Sequence, residues 1–184
     1  MAISSGLSMQ WGHVVTPTTY STTTTVVTFP RVNKADIQKV ASRIQGAGIQ
    51  SGVFGPVASH YIEATQAGTV SMECDVAQKS MGLLISHLMG SSTSSQQGGS
   101  TAYLQTHTLA DPVGKFMTVQ IGRPGRTGTV VPITATGCKI TSAEFTCNMG
   151  EILTATWEMD AYKVENTTAL ASASYVTGGG IRSK

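Results

Sequence analysis

Residues Ile152 to Tyr162 read ILTATWEMDAY, and this short run constrains the fold more than any other stretch of the chain. Leu153, Ala155, Trp157, Met159 and Ala161 alternate with the polar Thr154, Thr156, Glu158 and Asp160. Side chains of a strand repeat every two residues, so one face of this segment must be buried and the other left wet. Leu153, Trp157 and Met159 are therefore expected in the core, each large side chain contributing about 1.5 to 3 kcal/mol on burial. What the opposite face meets is the question that this pattern raises.

The segments before it extend the pattern. KFMTVQIG alternates Met117, Val119 and Ile121 with Thr118 and Gln120, GRPGRTG makes a turn, and TVVPITATG and CKITSAEFTC follow, with a further turn over Asn148 to Gly150. Pro132 suits an edge position. Consecutive strands joined by short turns predict an antiparallel meander. Upstream, residues 60–74 read as two strand pieces joined around Gly68, with Val70, Met72 and Cys74 on one face.

Two helices are predicted. Ala77, Met81, Leu84, Ile85 and Leu88 form a stripe over residues 75–89, with Asp75 as the cap and Gly90 as the stop. Gly82, inside it, points to close packing against another backbone. Ile37, Val40, Ala41 and Ile44 fall at helical spacing over residues 33–44, with Asn33 as a cap and Gly46 as a stop. GAGIQSGVFGPVAS reads as loop with one short strand, and GSSTSSQQGGST as a flexible polar loop. Residues 1–30, with the Thr-rich TPTTYSTTTTVVTF, read as an extended arm or edge strand, residues 31–164 as the folded domain, and residues 165–184 as a second arm. The fold class is thus mainly β, with antiparallel sheets and one helix flanking them.

A chain of 184 residues fits one domain. Its 40% hydrophobic content supports a fold, while a net charge of +2 and 12% charged residues argue against a dedicated nucleic-acid-binding surface. MAISSGLSMQWGHVV has no basic stretch leading into an apolar one, and no run nears the roughly 20 apolar residues of a membrane span, so an intracellular site of synthesis and no membrane partner are expected. Cys74, Cys138 and Cys147 read as buried reduced thiols, with a Cys138 to Cys147 bridge across neighbouring strands as the alternative.

No catalytic constellation assembles. His13, His60, His87 and His107 lack metal-ligand spacing and read as solvent-facing or satisfied packing residues. There is no nucleophile elbow, and GRPGRTG lacks the ending of a phosphate loop. No catalytic residue, metal or cofactor is expected, and the chain does not read as an enzyme. Half of its ten acids, Glu144, Glu151, Glu158, Asp160 and Glu165, nevertheless fall in the last β region, opposed there by Lys139 and Lys163.

Two stretches carry a family resemblance. GTVSMECDVAQKSMGLLISHLMGSS, residues Gly68 to Ser92, resembles the strand, helix and glycine stop of phage tail tube proteins, the matching positions being Gly68, Val70, Glu73, Leu83, Leu84 and Gly90. GCKITSAEFTCNMGEILTATWEMDAY, Gly137 to Tyr162, resembles the closing hairpin of the same family. The resemblance implies a β-sandwich whose copies form homohexameric rings stacked into a tube in the virion, built in the host cytoplasm. Such a tube encloses a tape-measure protein, meets a tail terminator and distal tail or baseplate proteins, and conducts DNA without binding it specifically.

On that reading, Thr154, Thr156, Glu158 and Asp160 line the lumen, the competing assignment being an outward face with strands 116–136 at the lumen. Arg123 and Arg126 are candidates for a contact between rings, or for a plain exposed turn. The alternative functions are a capsid decoration or other virion protein, and a secreted adhesin or pilin-like β module.

Overall fold

The structure is a computed structural model that describes residues 10–16, 20–46, 60–77, 79, 81–125 and 129–175. It is mainly β. Among the described residues, strands β1 (Gln10–Thr16), β2 (Lys34–Gln45), β3 (Tyr61–Asp75), β4 (Gly90–Gln96), β5 (Tyr103–Leu109), β6 (Phe116–Pro124), β7 (Val130–Thr146), β8 (Thr154–Ala161) and β9 (Lys163–Glu165) accompany one helix, α1 (Met81–Met89). All strand pairs are antiparallel, in the order β1-β6-β7-β8-β3-β2, with β9 also on β7 and with β4-β5 as a separate ribbon.

The long strand β7 belongs to two layers. Its first part, residues 130–138, pairs with β6 and β9, and its second, Lys139–Thr146, pairs with β8. Gly137 stands at the junction with φ +66, and a Cβ there would come 2.2 Å from the Tyr20 carbonyl oxygen. Only glycine takes that corner without strain. The layers it joins share one core: Trp11, Met117, Val119 and Ile121 from one, Val70, Met72, Trp157 and Met159 from the other, with Met81 and Leu84 of the helix.

The strand meander is as expected from period two, and Val70, Met72 and Cys74 are buried along one face of β3. In β6 both faces are covered, since Thr118 and Gln120 are buried too. Pro132 lies where β7 pairs with β6 alone, so the missing N–H costs no second ladder.

Several expectations need correction. Residues 33–44 are not helical: Lys34–Gln45 is a strand paired with β3 along its length. Only Ala35 and Ile37 turn inward, at strand spacing, while Val40 and Ile44 are exposed. The β-branched Ile37, Val40 and Ile44 suit the ladder that β3 offers, and tertiary pairing overrides the helical spacing. The helix at 75–89 begins only at Met81, because Asp75 is still in β3 and the Val76 amide donates to the Leu153 carbonyl at 2.9 Å. Its end is as expected: Gly90 has φ +91, and a Cβ there would lie 2.1 Å from the Ala110 carbonyl oxygen.

Gly82 faces the Gln105 side chain rather than a backbone. Gly68 does not divide β3; it lets Val164 approach, a Cβ there meeting Cγ2 of Val164 at 2.3 Å. Residues 90–101 are not a flexible loop: Gly90–Gln96 pairs with Tyr103–Leu109, and Gln97 N–H donates to the Ala102 carbonyl at 3.0 Å to close the turn. Gly98 and Gly99, both at positive φ, permit that turn.

Cys74 and Cys138 are buried free thiols, pushed up by burial to about 11 and about 12. Cys147 is exposed rather than buried. It follows directly on β7, so Cys138 lies roughly 30 Å back along the same extended chain and no bridge between them can form. The N-terminal run contributes β1 at the sheet edge, with Trp11, Val26 and Phe29 buried. Behind β9 the chain lies across β6 and β1, Gln120 Nε2 donating to the Ala169 carbonyl at 3.0 Å and Gln10 Nε2 to the Ala171 carbonyl at 2.6 Å. The loop expected over residues 47–59, Pro17 and the glycine tail from residue 176 lie outside the described residues.

Candidate functional site: an acidic sheet face and two apolar ribbons

In β8, Trp157 and Met159 are fully buried and Leu153, just before the strand, is half-buried. On the other face Glu158 and Asp160 are exposed, and Thr154 and Thr156 half-buried. Register extends this face across four strands, since directly opposed residues project the same way. Asp36, Ser71, Glu158 and Ser142 form one row; Gln38, Thr69, Asp160 and Lys139 a second; Lys34, Glu73, Thr156 and Glu144 a third; and Asp75 opposes Thr154.

Six carboxylates, those of Asp36, Glu73, Asp75, Glu144, Glu158 and Asp160, thus share a face with the ammonium groups of Lys34 and Lys139. Ser142 Oγ donates to Glu158 Oε2 at 3.4 Å and Asn33 Nδ2 to Asp75 Oδ1 at 2.7 Å. A shallow cleft of about 250 Å³ lies between Thr69, Ser71, Thr141, Glu158 and Asp160. Among the described residues no group of three His, Cys, Asp or Glu could hold a metal ion. The face offers hydroxyls and carboxylates to solvent without a buried nucleophile or a partnered acid and base.

Arg123 sits near the end of β6 and forms an ion pair with Asp36. Hydrogen bonds from Gln38 and then Arg123 hold the Asp36 carboxyl below its ordinary range. Both side chains are more than a third exposed, so the pair is worth about 0 to 1 kcal/mol. Arg123→Ala is accordingly expected to lower stability by less than about 1 kcal/mol, a loss that shrinks further in high salt, measurable by urea titration. Arg126 lies outside the described residues.

Beyond the acidic face, β2 and β3 run on as a two-stranded ribbon. β8 pairs with Gly68–Asp75 only, whereas Val40–Gln45 pairs with residues 61–67. Val40, Ile44, Tyr61 and Ile62 are exposed there, Ile62 at 70%. The β4–β5 ribbon likewise exposes Tyr103, Leu104 and, at 86%, Leu109. Both ribbons escaped sequence reading because β2 was expected to be a helix and residues 90–101 a loop. Glu73 was legible on the face opposite Val70, Met72 and Cys74, whereas Asp75 was expected to cap the helix and Asp36 was hidden in the supposed helix at 33–44.

No curated protein sequence matches the chain. Among solved structures it is similar to the SPP1 tail tube determined by solid-state NMR and cryo-EM, at 9% identity and a TM-score of 0.44, over 86% of this chain and 76% of that one. It is also similar to the anti-feeding prophage tube-terminating cap, at 13% identity and a TM-score of 0.41, over 85% and 88% of the two chains. A third similarity is to an Hcp protein, at 12% identity and a TM-score of 0.38, over 90% and 96%. A family model described as phage tail tube protein matches residues 10–181, nearly the whole sequence, and the chain therefore belongs to the phage tail tube protein family.

Proposed function

We propose that this chain is the repeating subunit of a tail tube, that copies close into hexameric rings and stack, and that the acidic face of β2, β3, β7 and β8 lines the lumen. The observation that carries this reading is the concentration of six carboxylates against two ammonium groups on one face of a sheet whose other face is core. Duplex DNA binds cationic surfaces by releasing counterions, so a wall meant for passage must offer few cations. At a Debye length of about 8 Å, carboxylate repulsion reaches only a short way into a bore. A ring repeats each carboxylate once per subunit, which turns a modest monomer feature into a charged band.

Assembly is supported by the exposed ribbons. Val40, Ile44, Tyr61 and Ile62 make an apolar surface on the β2–β3 ribbon that none of the described residues covers, and such surfaces mark association sites. Among the described strands β2 is a sheet edge, a position open to pairing with another copy. The tape-measure protein inside the lumen, a terminator and distal tail proteins at the tube ends, and assembly in the host cytoplasm complete this reading, which needs no cofactor and no catalysis.

Charge reversal tests it. Glu158→Lys with Asp160→Lys is expected to leave tube formation intact and to make tubes retain duplex DNA at low salt, with retention lost as salt rises. Filter retention of labelled DNA on purified tubes measures this. Reversed tubes that retain no more DNA than the parent would place these carboxylates away from the bore.

A further inference from the structure

The β2–β3 ribbon reverses the polarity of the sheet that it continues. Alternation along β2 puts Asp36 and Gln38 on one face with Val40 and Ile44, and Ala35 and Ile37 on the other with Lys39 and Arg43. The register offset beside Ser42 and Arg43 is taken up in β3, where Ala64 is passed over, so the faces of β2 do not change places. Ile62 stands opposite Ile44 and shares its face, as Gln66 opposite Ala41 shares that of Lys39. Up to Gln38 the first face is wet and acidic and the second is core. Past Gln38 they exchange character. Val40, Ile44 and Ile62 are exposed on the first face, while on the second Lys39 Nζ lies 2.9 Å from Glu63 Oε1 and Gln66 Nε2 donates to Glu63 Oε2 at 2.8 Å.

The far end of the same sheet carries a second apolar surface. Asp75 stands opposite Thr154 and Gly68 opposite Ala161, so the turn between β7 and β8 and the β2–β3 ribbon lie at opposite ends of β3. Met149 in that turn is fully exposed, and Phe145 and Ile152 on either side of it are 48% and 41% exposed. Charge differs between the two ends as well. Residues 141–162 carry four acids, of which Glu144 and Glu151 are nearest the turn, and no lysine or arginine. The ribbon carries Lys39 and Arg43 against Glu63.

We infer that the apolar face of the β2–β3 ribbon docks on the β7–β8 turn of a second copy in the adjacent ring, so that the two ends of one sheet join copies head to tail along the tube. The inference rests on the stacked-ring reading and adds which two surfaces make the stack. A ribbon that merely lengthened the wall of an aqueous bore would stay polar on the bore side; the reversal past Gln38 means that the ribbon leaves the wall and turns that side to protein. Val40, Ile44 and Ile62 then bury against Phe145, Met149 and Ile152, and the basic ribbon comes to the acidic hairpin, which fixes direction. Two different surfaces at opposite ends of one molecule make a heterologous contact, which repeats without closing and gives an assembly of open length.

Cross-linking of assembled tubes tests this. Ser42 is exposed between Val40 and Ile44 on the docking face, and Cys147 is an exposed thiol beside the turn, whereas Cys74 and Cys138 are buried. Tubes of Ser42→Cys are treated with a short bis-maleimide and quenched before denaturation. Electrophoresis is expected to show a ladder of linked chains running beyond the hexamer, and adding Cys147→Ser should remove it. A ladder that stops at the hexamer would seat the ribbon on a neighbour within its own ring, and tubes without a ladder would mean that ribbon and turn do not meet. Either result overturns the docking and leaves the tube reading standing, whereas a parent chain that never forms tubes overturns both. Should Ser42→Cys fail to assemble, hydrogen exchange on the unsubstituted chain decides. Residues 40–45 and 148–152 are both expected to slow about tenfold or more on assembly. Either segment exchanging in tubes as in the monomer contradicts the docking.

Discussion

Ile62→Asp is expected to leave the monomer folded and to suppress tube assembly. Ile62 lies directly opposite Ile44 on the ribbon of β2 and β3, where both side chains are mostly exposed, so the substitution changes folding stability by no more than about 0.5 kcal/mol. In an assembled tube the same carboxylate would be desolvated against a neighbour, at a cost of about 2 to 3 kcal/mol per contact. That corresponds to roughly a 30- to 150-fold higher concentration for assembly. Sedimentation of a concentration series, with electron microscopy of the pellets, reads the effect. Assembly at the parental concentration would mean that this ribbon is not an interface.

Trp157→Ala is expected to have the largest effect on folding. Trp157 is fully buried, stands opposite Met72 and Ala143 in the register, and meets Phe145 edge-on at 5.6 Å between ring centroids. Removing a buried indole costs about 3 to 5 kcal/mol through lost transfer energy and the cavity left behind. Against a total stability of about 5 to 15 kcal/mol this is a large fraction. The melting temperature should fall by roughly 6 to 20 °C. Trp157→Phe, which keeps a ring beside Phe145, should lose far less. Calorimetry of both variants at one protein concentration checks the order, and a Trp157→Ala loss below about 1 kcal/mol would remove Trp157 from the centre of the core.

Those two residues also mark what could be read in advance. Trp157 sits in an uninterrupted alternation, and a period of two over eight residues leaves little freedom about which face is buried. Ile44 sits in a stretch whose apolar spacing fits a helix equally well. Its conformation is decided by β3, which begins only at Tyr61 and supplies a ladder that local periodicity cannot register. Ser91 to Ser95 present the same difficulty: a serine-rich run resembles a linker until β5 pairs with it.

The acidic face shows the same division. Glu158 and Asp160 were visible as neighbours on one strand, and Glu144 as part of an acidic region. Their union with Glu73, Asp75 and Asp36 depends on register between strands far apart in the chain, including the offset after Ile140 that brings Ser142 opposite Glu158. Family motifs pointed to a tube subunit, but spacing within a single strand could not define a four-strand surface.

A reconstruction of tubes grown from the purified chain would show which face of the sheet surrounds the axis. A hollow assembly of stacked rings is expected, with the carboxylates of Glu158 and Asp160 on the wall of the axial bore. Tubes with those carboxylates on the outer surface, or a filament without a bore, would contradict it.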